Sequence, residues 1–494
     1  MKMEKLRVLR AGLFVFVLAG IAFISQGKVS QAKISLSKST VTFSSPTAKS
    51  QTITIKGVKK SKVKNIRVDN SWEEWVTIKA KGKNKLVITP KRSGKLTYSL
   101  GVTVEYKSPV NGSYSDYVGF KKIIIKGSSK IYIKTAEDLC KMRAGTYTEH
   151  KWEYYLDADI DMTGKGMVKY PGEYGSDTYT DIYLDGQGHT IKSDTPIFDS
   201  ISGVFKNIVF DVNINCTVSK NDANTQIWTD VHYNGYGGLA PVVYNNGKMI
   251  NCRSTGSITV NMDKDVPSKL SDGSPSKVTE ANIAGLVEEN CNGDAYIIQC
   301  RSDVDITVNF SQGVTPFTYV GGIVALNYGY TGNKQYAHIE ECMYTGKLQV
   351  NKPDSFVWAG GITGNNNAYI SDCLNTGSVK VDSGSFPYGA GIDGMGGGMA
   401  VERVLTIGDV NYAMKGDSVS ESNLASGDYD EYKDAFYLKS KSDGFNYLGN
   451  PFAIPGVTGI TDEELKNQAT FINFDFEKVW TMGDNGPTLK NVPA

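Results

Sequence analysis

Side chains that catalysis and metal binding commonly depend on are scarce in this sequence. Its 494 residues include only four histidines, scattered at positions 150, 189, 232 and 338. The H-E-x-x-H, C-x-x-C and G-x-S-x-G motifs do not occur. A zinc peptidase helix, a paired-cysteine metal site and a nucleophile elbow are therefore excluded as sequence motifs. The sequence predicts no cofactor, no metal site and no catalytic residue.

A cysteine-containing motif is repeated instead. Four copies read INCRSTGSITV, IIQCRSDVDITV, EECMYTGKLQV and SDCLNTGSVKV, and they carry Cys252, Cys300, Cys342 and Cys373. A fifth copy, VERVLTIGDVNY, has Val404 in the cysteine position, and a small-Gly-apolar motif such as GGLA or GGIV precedes every copy. Self-similarity at intervals of 31 to 48 residues indicates stacked repeats.

The repeats are predicted to be coils of a β-helix. Apolar residues alternate in S-I-T-V and K-L-Q-V, which is the period of a strand and not of a helix. Each unit is interpreted as three short strands, so that coils stack about 4.8 Å apart and equivalent residues lie above one another. We expect the four ladder cysteines to be buried as small apolar groups and not paired in disulfides. Cys291 is expected to be the exposed thiol, with Cys140 and Cys216 unplaced.

The segment GGIVALN…IEECMYTGKLQV…AGGITGNN…ISDCLNTGSVKV resembles the GLUG-motif repeats of bacterial secreted and surface proteins. That resemblance implies a right-handed parallel β-helix and an adhesin-like exoprotein, and it brings no catalytic residue with it. TAEDLCKM near 135 and TFINFDFEKVW near 470 resemble the flanking parts of the same family. They predict capping segments, with Phe474, Phe476 and Trp480 closing the C-terminal end. The capping-box sequences at 135–138 and 461–464 predict short helices that begin at Thr135 and at Thr461, the second ending near Gln468.

Four regions are predicted along the chain. Basic residues followed by the apolar stretch AGLFVFVLAGIAFIS indicate a signal peptide over 1–32, cleaved near Ala32, although an uncleaved anchor is the alternative. Short alternating strands over 33–127 predict an immunoglobulin-like β-sandwich. The right-handed β-helix is assigned to 128–411 and its C-terminal cap to 412–494. The fold class is therefore all-β, and no membrane span is expected after cleavage of the signal.

Charge is distributed unevenly behind a net value of +1. Residues 33–127 contain 20 basic and 5 acidic residues, a net charge of +15, whereas 128–494 carry −18. Lysines could simply line solvated strand faces. The alternative is a site for a polyanion such as an anionic cell-wall polymer or glycan, and the scarcity of Arg argues against nucleic acid. The predicted polyanion-binding residues form two alternating runs: Lys59, Lys60, Lys62 and Lys64, and Lys81, Lys83 and Lys85.

Two further features of the sequence bear on function. Asp157, Asp159 and Asp161 alternate with apolar residues, so they are expected on the outer face of the first coil as solvated groups, with a calcium site or catalytic pair as the alternative. Tyr328 and Trp358 lie near the small-Gly-apolar motif and could stack on sugars or on each other. The sequence therefore favours a non-catalytic, secreted or surface-associated protein that binds an extracellular glycan or protein. The alternatives are a polysaccharide lyase or hydrolase, or a spacer.

Overall fold

The computed structural model describes most of the chain beyond the N-terminal 33 residues, so the predicted signal peptide lies outside the described residues. The description covers 34–494 except 46–47, 69–75, 92–93, 97–99, 108–112, 127–129, 143–151, 169–181, 219–235, 263–266, 270–274, 278–279, 292, 294, 312–316, 331–334, 352–355, 383–385, 397–398, 413–430 and 442–454. The chain divides into two compact units between Ile123 and Ile124. The segments Thr42–Thr47 and Arg92–Lys95 belong to the second unit. We call them the N-terminal unit and the β-helix unit.

The N-terminal region is built from short strands and one 3₁₀ turn, Lys60–Lys62. Strands β1-β3-β6-β5 form one antiparallel sheet and β4-β8-β9 another, while β2-β10-β7 form a third small sheet. The strands are β1 (Ser35–Leu36), β2 (Thr40–Phe43), β3 (Gln51–Lys56), β4 (Val63–Val68), β5 (Val76–Lys81), β6 (Lys85–Pro90), β7 (Gly94–Leu96), β8 (Leu100–Lys107), β9 (Ser113–Phe120) and β10 (Lys122–Ile125).

Alternation of apolar and polar residues forms the core of this unit. Ile53 on β3 and Ile88 on β6 are fully buried, as are Val102 and Val104 on β8. Along each of these strands the alternate residues are more exposed, which is the period-two pattern of strands that cover a core on one side.

The remaining strands belong to coils and to small local hairpins. They are β11 (Lys130–Ile133), β12 (Trp152–Leu156), β13 (Ile160–Asp161), β14 (Ile182–Asp185), β15 (Thr190–Ser193), β16 (Phe198–Ile201), β17 (Gly203–Lys206), β18 (Val209–Val218), β19 (Tyr236–Leu239), β20 (Val242–Asn245), β21 (Lys248–Ile250), β22 (Arg253–Met262), β23 (Pro267–Lys269), β24 (Pro275–Lys277), β25 (Glu280–Ala284), β26 (Val287–Asn290), β27 (Tyr296–Ile298), β28 (Arg301–Ser302), β29 (Asp305–Phe310), β30 (Phe317–Gly321), β31 (Val324–Asn327), β32 (Gly329–Tyr330), β33 (Gln335–Tyr336), β34 (His338–Glu340), β35 (Met343–Tyr344), β36 (Lys347–Asn351), β37 (Phe356–Gly360), β38 (Thr363–Asn366), β39 (Tyr369–Ser371), β40 (Leu374–Asn375), β41 (Ser378–Val381), β42 (Phe386–Ala390), β43 (Asp393–Gly396), β44 (Ala400–Thr406), β45 (Val410–Tyr412), β46 (Glu431–Leu438), β47 (Val457–Ile460), β48 (Trp480–Gly483) and β49 (Gly486–Leu489).

Coils stack through parallel pairing in three sheets, so the predicted all-β class with a parallel β-helix is confirmed. One sheet has 22 strands, and the other two follow the orders β16-β20-β26-β31-β38-β43 and β19-β25-β30-β37-β42. The described residues of the coil over 280–310 form five strand segments, β25 to β29, where three were predicted. Among the described residues, no helix is long and apolar enough to cross a membrane.

One of the two extra breaks, between β27 and β28, coincides with a column of residues in the left-handed backbone region. Gln299, Glu341 and Asp372 have φ values of 53°, 51° and 50°, and each directly precedes a ladder cysteine. Such values cost little for short polar residues and more for others. The sharp corner at this position divides the long strand of each coil, which the alternation pattern alone did not reveal.

The four ladder cysteines are buried and free, as predicted. Each thiol lies within hydrogen-bonding distance of main-chain carbonyls, for example 3.3 Å from Cys300 Sγ to the carbonyl oxygen of Ile298. Burial raises the pKa values of Cys252, Cys300 and Cys342 well above the ordinary value. The expectation for Cys291 was wrong, since it is half-buried and Cys140 is the exposed thiol, while Cys216 is buried.

An asparagine ladder crosses the interior of the same coils. Asn245 donates to Asn290 at 2.7 Å, Asn290 to Asn327 at 2.9 Å and Asn327 to Asn366 at 2.8 Å. All four side chains are fully buried. In-register parallel pairing places each amide one coil above the next, so the donor of one meets the acceptor of its neighbour.

Short capped helices lie at both ends. Helix α1 (Ala136–Cys140) begins at Thr135, whose hydroxyl accepts from Asp138 N, and α2 (Asp462–Leu465) begins with a capping box between Thr461 and Glu464. Both starts were predicted, although α2 ends three residues before the expected Gln468. Two further 3₁₀ turns span Lys439–Lys441 and Gln468–Thr470.

The C-terminal segment packs along the side of the coils. Trp480 and Phe474 are buried in a cluster with Leu374, Leu405 and Phe436, which are stacked side chains of successive coils. Trp480 Nε1 donates to Asp372 at 2.9 Å, and Asn491 reaches Glu341 at 3.1 Å. Phe476 is only partly buried against the same cluster, and the closing of the C-terminal end by these three aromatic residues stays a prediction.

We predict that Asn290→Ala destabilises the β-helix unit by about 1–3 kcal/mol, because it removes one buried hydrogen bond from Asn245 and one from Asn327. Asn309→Ala removes an equivalent amide from the partly exposed outer surface, where water replaces the lost bonds, and serves as the control. Urea unfolding followed by circular dichroism measures both. Equal losses in the two variants would contradict the assigned role of the interior ladder.

Trp480→Ala is expected to lower the free energy of unfolding by about 3–5 kcal/mol, because it empties the centre of a buried aromatic cluster. Ile472→Ser in the same segment should change it by less than about 0.5 kcal/mol, since Ile472 is 85% exposed. Denaturant midpoints provide the comparison. A stable Trp480→Ala protein would mean that the segment does not protect the apolar side chains of the coils.

Candidate anion-binding site

The first part of the site is the hairpin that joins β5 to β6. Its turn, Gly82–Asn84, begins with Gly82 at φ 65°, a value that glycine adopts without strain. Lys81 and Lys85 lie directly opposite each other where the two strands meet the turn. Lys83 occupies the turn itself, so the hairpin presents three lysines within five residues.

The second part comes from the chain that leaves β3. Strands β3 and β6 are antiparallel neighbours with Thr54 opposite Lys85, and Ile55 N donates to Asn84 O at 2.8 Å. The end of β3 is thereby fixed beside the hairpin turn. The 3₁₀ turn Lys60–Lys62 follows, closed by a 2.9 Å hydrogen bond from Lys62 N to Lys59 O.

These two segments enclose an open hollow of about 440 Å³. Four of the predicted lysines line it, together with residues that the charge pattern did not indicate. The lining residues are Lys60, Ser61, Lys81, Gly82, Lys83, Asn84 and Lys85.

The lysines of the hollow are exposed, and no carboxylate in the described part of the chain forms an ion pair with Lys60, Lys81, Lys83 or Lys85. Glu105, on β8, pairs instead with Arg67 at 2.9 Å. Like charges directly opposite across two strands are destabilising, which applies to Lys81 and Lys85. An anion in the hollow would offset that repulsion.

The other three predicted lysines lie outside the lining. Lys59 precedes the 3₁₀ turn, Lys62 is its last residue and Lys64 is on β4, all of them exposed. Neither run follows one strand, because the first contains the 3₁₀ turn and the second crosses a hairpin. The lysines converge because the two turns are adjacent, not because of alternation. The pairing of β3 with β6 could not be read from the charge pattern.

The acidic residues of the first coil are arranged as solvated groups. Asp157, Asp159 and Asp161 are exposed. They do not lie on one strand, because the chain bends between β12 and β13. Asp157 pairs with Lys134 at 3.0 Å, and Asp159 accepts from Thr190 N at 2.9 Å. Within the described residues, no group of three or more His, Cys, Asp or Glu side chains could hold a metal ion.

Asp159, Asp161 and Asp303 have lowered pKa values, so their carboxyl groups stay ionised at neutral pH. The hydrogen bond from Thr190 lowers the pKa of Asp159, and the side chain and main chain of Thr163 lower that of Asp161. Burial alone would raise the pKa of Asp303, but hydrogen bonds from Thr345, Arg301 and Arg253 outweigh it and hold the pKa below its ordinary value. A general acid in glycoside cleavage needs the opposite shift.

Aromatic side chains of successive coils stack on one another. Trp358 lies between Tyr319 and Tyr388, with ring centroids 5.0 and 5.9 Å away, and is 9% exposed. His338 lies between Tyr296 and Tyr369 at 4.5 and 4.9 Å. The ladder interpretation is thus confirmed for Trp358. Both faces of Trp358 and of His338 are occupied by neighbouring rings, so these rings do not offer a face to a sugar.

Comparisons with known proteins identify no family for this chain. No family model matches it, and no curated protein matches it. Among solved structures, a protein described as a putative immunoglobulin A1 protease from Bacteroides ovatus matches with 16% sequence identity and a TM-score of 0.34. The match covers 73% of this chain and 92% of that one. Identity and TM-score at this level carry no argument about function, and the GLUG resemblance stays a prediction.

We predict that acid weakens the β-helix unit partly through Asp303. Its folded-state pKa is lowered, so its contribution is complete above the ordinary carboxyl value of about 3.9 and is lost as pH falls through the lowered value. Asp303→Asn should reduce the loss of stability below about pH 4 while lowering stability at neutral pH. Urea midpoints measured across that range test this, and parallel pH profiles for the two proteins would contradict it.

Proposed function

We propose that this chain is a non-catalytic, secreted or surface-associated bacterial protein with an adhesin-like role. In this proposal the N-terminal unit binds an anionic cell-wall polymer or acidic glycan, and the β-helix unit presents a face to an extracellular ligand. The observation that carries the proposal is the convergence of Lys60, Lys81, Lys83 and Lys85 on one open hollow.

Lysine chemistry favours a polymer with distributed negative charge. An ammonium group is a compact point charge with three donors, whereas bidentate recognition of a single planar carboxylate is the speciality of arginine. No arginine lines the hollow. The remaining lysines of the unit, within a net charge of +15 over 33–127, would attract further segments of the same polymer.

Export is supported by the N-terminal sequence. Basic residues precede the apolar stretch 11–25, and Ser30-Gln31-Ala32 is a small-x-small pattern suited to cleavage after Ala32. The GLUG-like repeats agree with an extracellular location, because that family consists of secreted and surface proteins. Binding is proposed in preference to polysaccharide cleavage because Asp159, Asp161 and Asp303 have lowered pKa values, whereas a general acid needs a raised one.

The test compares two triple variants of equal net charge. Lys60, Lys81 and Lys83 are changed to Gln in one, and the exposed Lys38, Lys107 and Lys121 in the other. Binding to a poly(glycerol phosphate) and to a polyglucuronate is measured by calorimetry at low salt and at about 0.15 M salt. We expect the hollow variant to bind on the order of tenfold more weakly than the control variant, with wild-type affinity falling as salt rises.

Two results would contradict the proposal. Equal weakening in both variants would mean that only the overall charge of the unit matters. Absence of binding by the wild-type protein at low salt would remove the polyanion role altogether.

A further inference from the structure

An uncharged polar surface runs across four consecutive coils of the β-helix unit. Strands β18, β22, β29 and β36 pair in register, so that outward residues form two straight columns. All eight outward residues in these columns carry amide or hydroxyl side chains, and we call them the amide–hydroxyl face. They are Asn215, Thr259, Thr307 and Gln349 in the first column, and Thr217, Asn261, Asn309 and Asn351 in the second.

Hydrogen bonds along the second column fix the orientation of its amides. Asn309 Nδ2 donates to Asn261 Oδ1 at 2.8 Å, and Asn351 Nδ2 donates to Asn309 Oδ1 at 2.7 Å. A primary amide has two N–H donors and an oxygen with two lone pairs. Asn309 therefore keeps one donor and one lone pair beyond its ladder bonds, held in a defined position.

Hydroxyl groups of the first column remain open to a ligand. Thr259 and Thr307 are partly exposed, and no described residue hydrogen-bonds to either hydroxyl. Asn215 and Thr217 at the start of the two columns are exposed. The face thus offers donors and acceptors at every coil, spaced about 4.8 Å apart along the axis.

The absence of charge on this face excludes the most obvious ionic partners. The surrounding segment 128–494 has a net charge of −18, yet none of the eight residues is ionisable. Charged neighbours begin only at its borders, with Asp305 and Lys347 in the adjacent column and Lys380 on the next coil. Asp382 lies at the same border and accepts from Gln349 Nε2 at 3.5 Å. A charged polymer would gain nothing here over the rest of the surface, whereas a neutral hydroxyl-rich chain meets hydrogen-bonding groups without a desolvated charge.

We propose that the amide–hydroxyl face binds a linear, uncharged polysaccharide lying along the β-helix axis. Three intervals of about 4.8 Å give a contact length of about 14 Å, enough for a few pyranose units. Recognition depends on hydrogen bonds to sugar hydroxyls, since all eight side chains of the face are amides or hydroxyls. The inference rests on the proposed role of the β-helix unit in presenting a binding face and does not depend on the basic hollow.

The test uses the full chain and a panel of neutral polysaccharides: a β-glucan, a mannan, a galactan and a xylan. The double variant Thr259→Val, Thr307→Val removes two hydroxyls and keeps the branched shape that strands favour. Thr255→Val, on the same strand as Thr259 but outside the face, is the matched control. We expect binding to at least one member of the panel, weakened at least tenfold in the double variant and unchanged in the control. Binding should not vary with salt.

Several outcomes would overturn the proposal. One is absence of binding to every member of the panel, and another is equal affinity of the wild-type protein and the double variant. A third is a dimer that the double variant Thr259→Val, Thr307→Val abolishes, because the face would then be a self-association surface. Binding that falls with salt and is lost in the Lys60, Lys81, Lys83→Gln variant would assign the polysaccharide to the hollow. Loss of polyanion binding in that lysine variant with retained neutral binding would separate the two sites.

Discussion

Parallel main-chain pairing without a shift in register is the constraint on which the β-helix unit depends. Each coil adds its strands to those of the preceding coil, so a residue always lies over the residue of the same position. A side chain that fits a given position in one coil therefore fits the same position in the next coil. Interior positions repeat cysteine or asparagine for this reason, because Cys fills a small apolar space and Asn satisfies its own neighbour.

The same register determines what the outside can bind. Aromatic residues in one column stack face to face, as Tyr296, His338 and Tyr369 do, and the stacking uses the surfaces that a sugar ring would need. Amide and hydroxyl residues in a column use only part of their hydrogen-bonding capacity on each other. Columns of Asn and Thr are therefore better placed to bind a ligand than columns of aromatic residues.

The repeated motifs made the β-helix predictable from the sequence. Features that leave no repeated residue type in the sequence were not predicted. Cys252 and its equivalents identified the coils, and Thr135 and Thr461 identified both capped helices. The corners at Gln299 and Glu341 were not predicted, because a positive φ at a non-glycine residue is stabilised by stacking and leaves little sign in composition.

The lysine hollow was predicted only in part. Both lysine runs were identified, but their convergence follows from the pairing of Thr54 with Lys85, which charge and alternation do not encode. The outward apolar residues Met343, Leu374 and Leu405 form a covered surface that was not predicted from the sequence. They follow Arg253 and Arg301 in the same column, and the change from charged to apolar marks where the C-terminal segment packs.

Hydrogen exchange of the full chain, with and without a poly(glycerol phosphate), tests the central claim most directly. The account predicts slower exchange at the amides of 57–62 and 81–85 on addition of the polymer, because both turns of the hollow are then covered, and no change in the coils. Protection confined to the β-helix unit, or none in either turn, would contradict it.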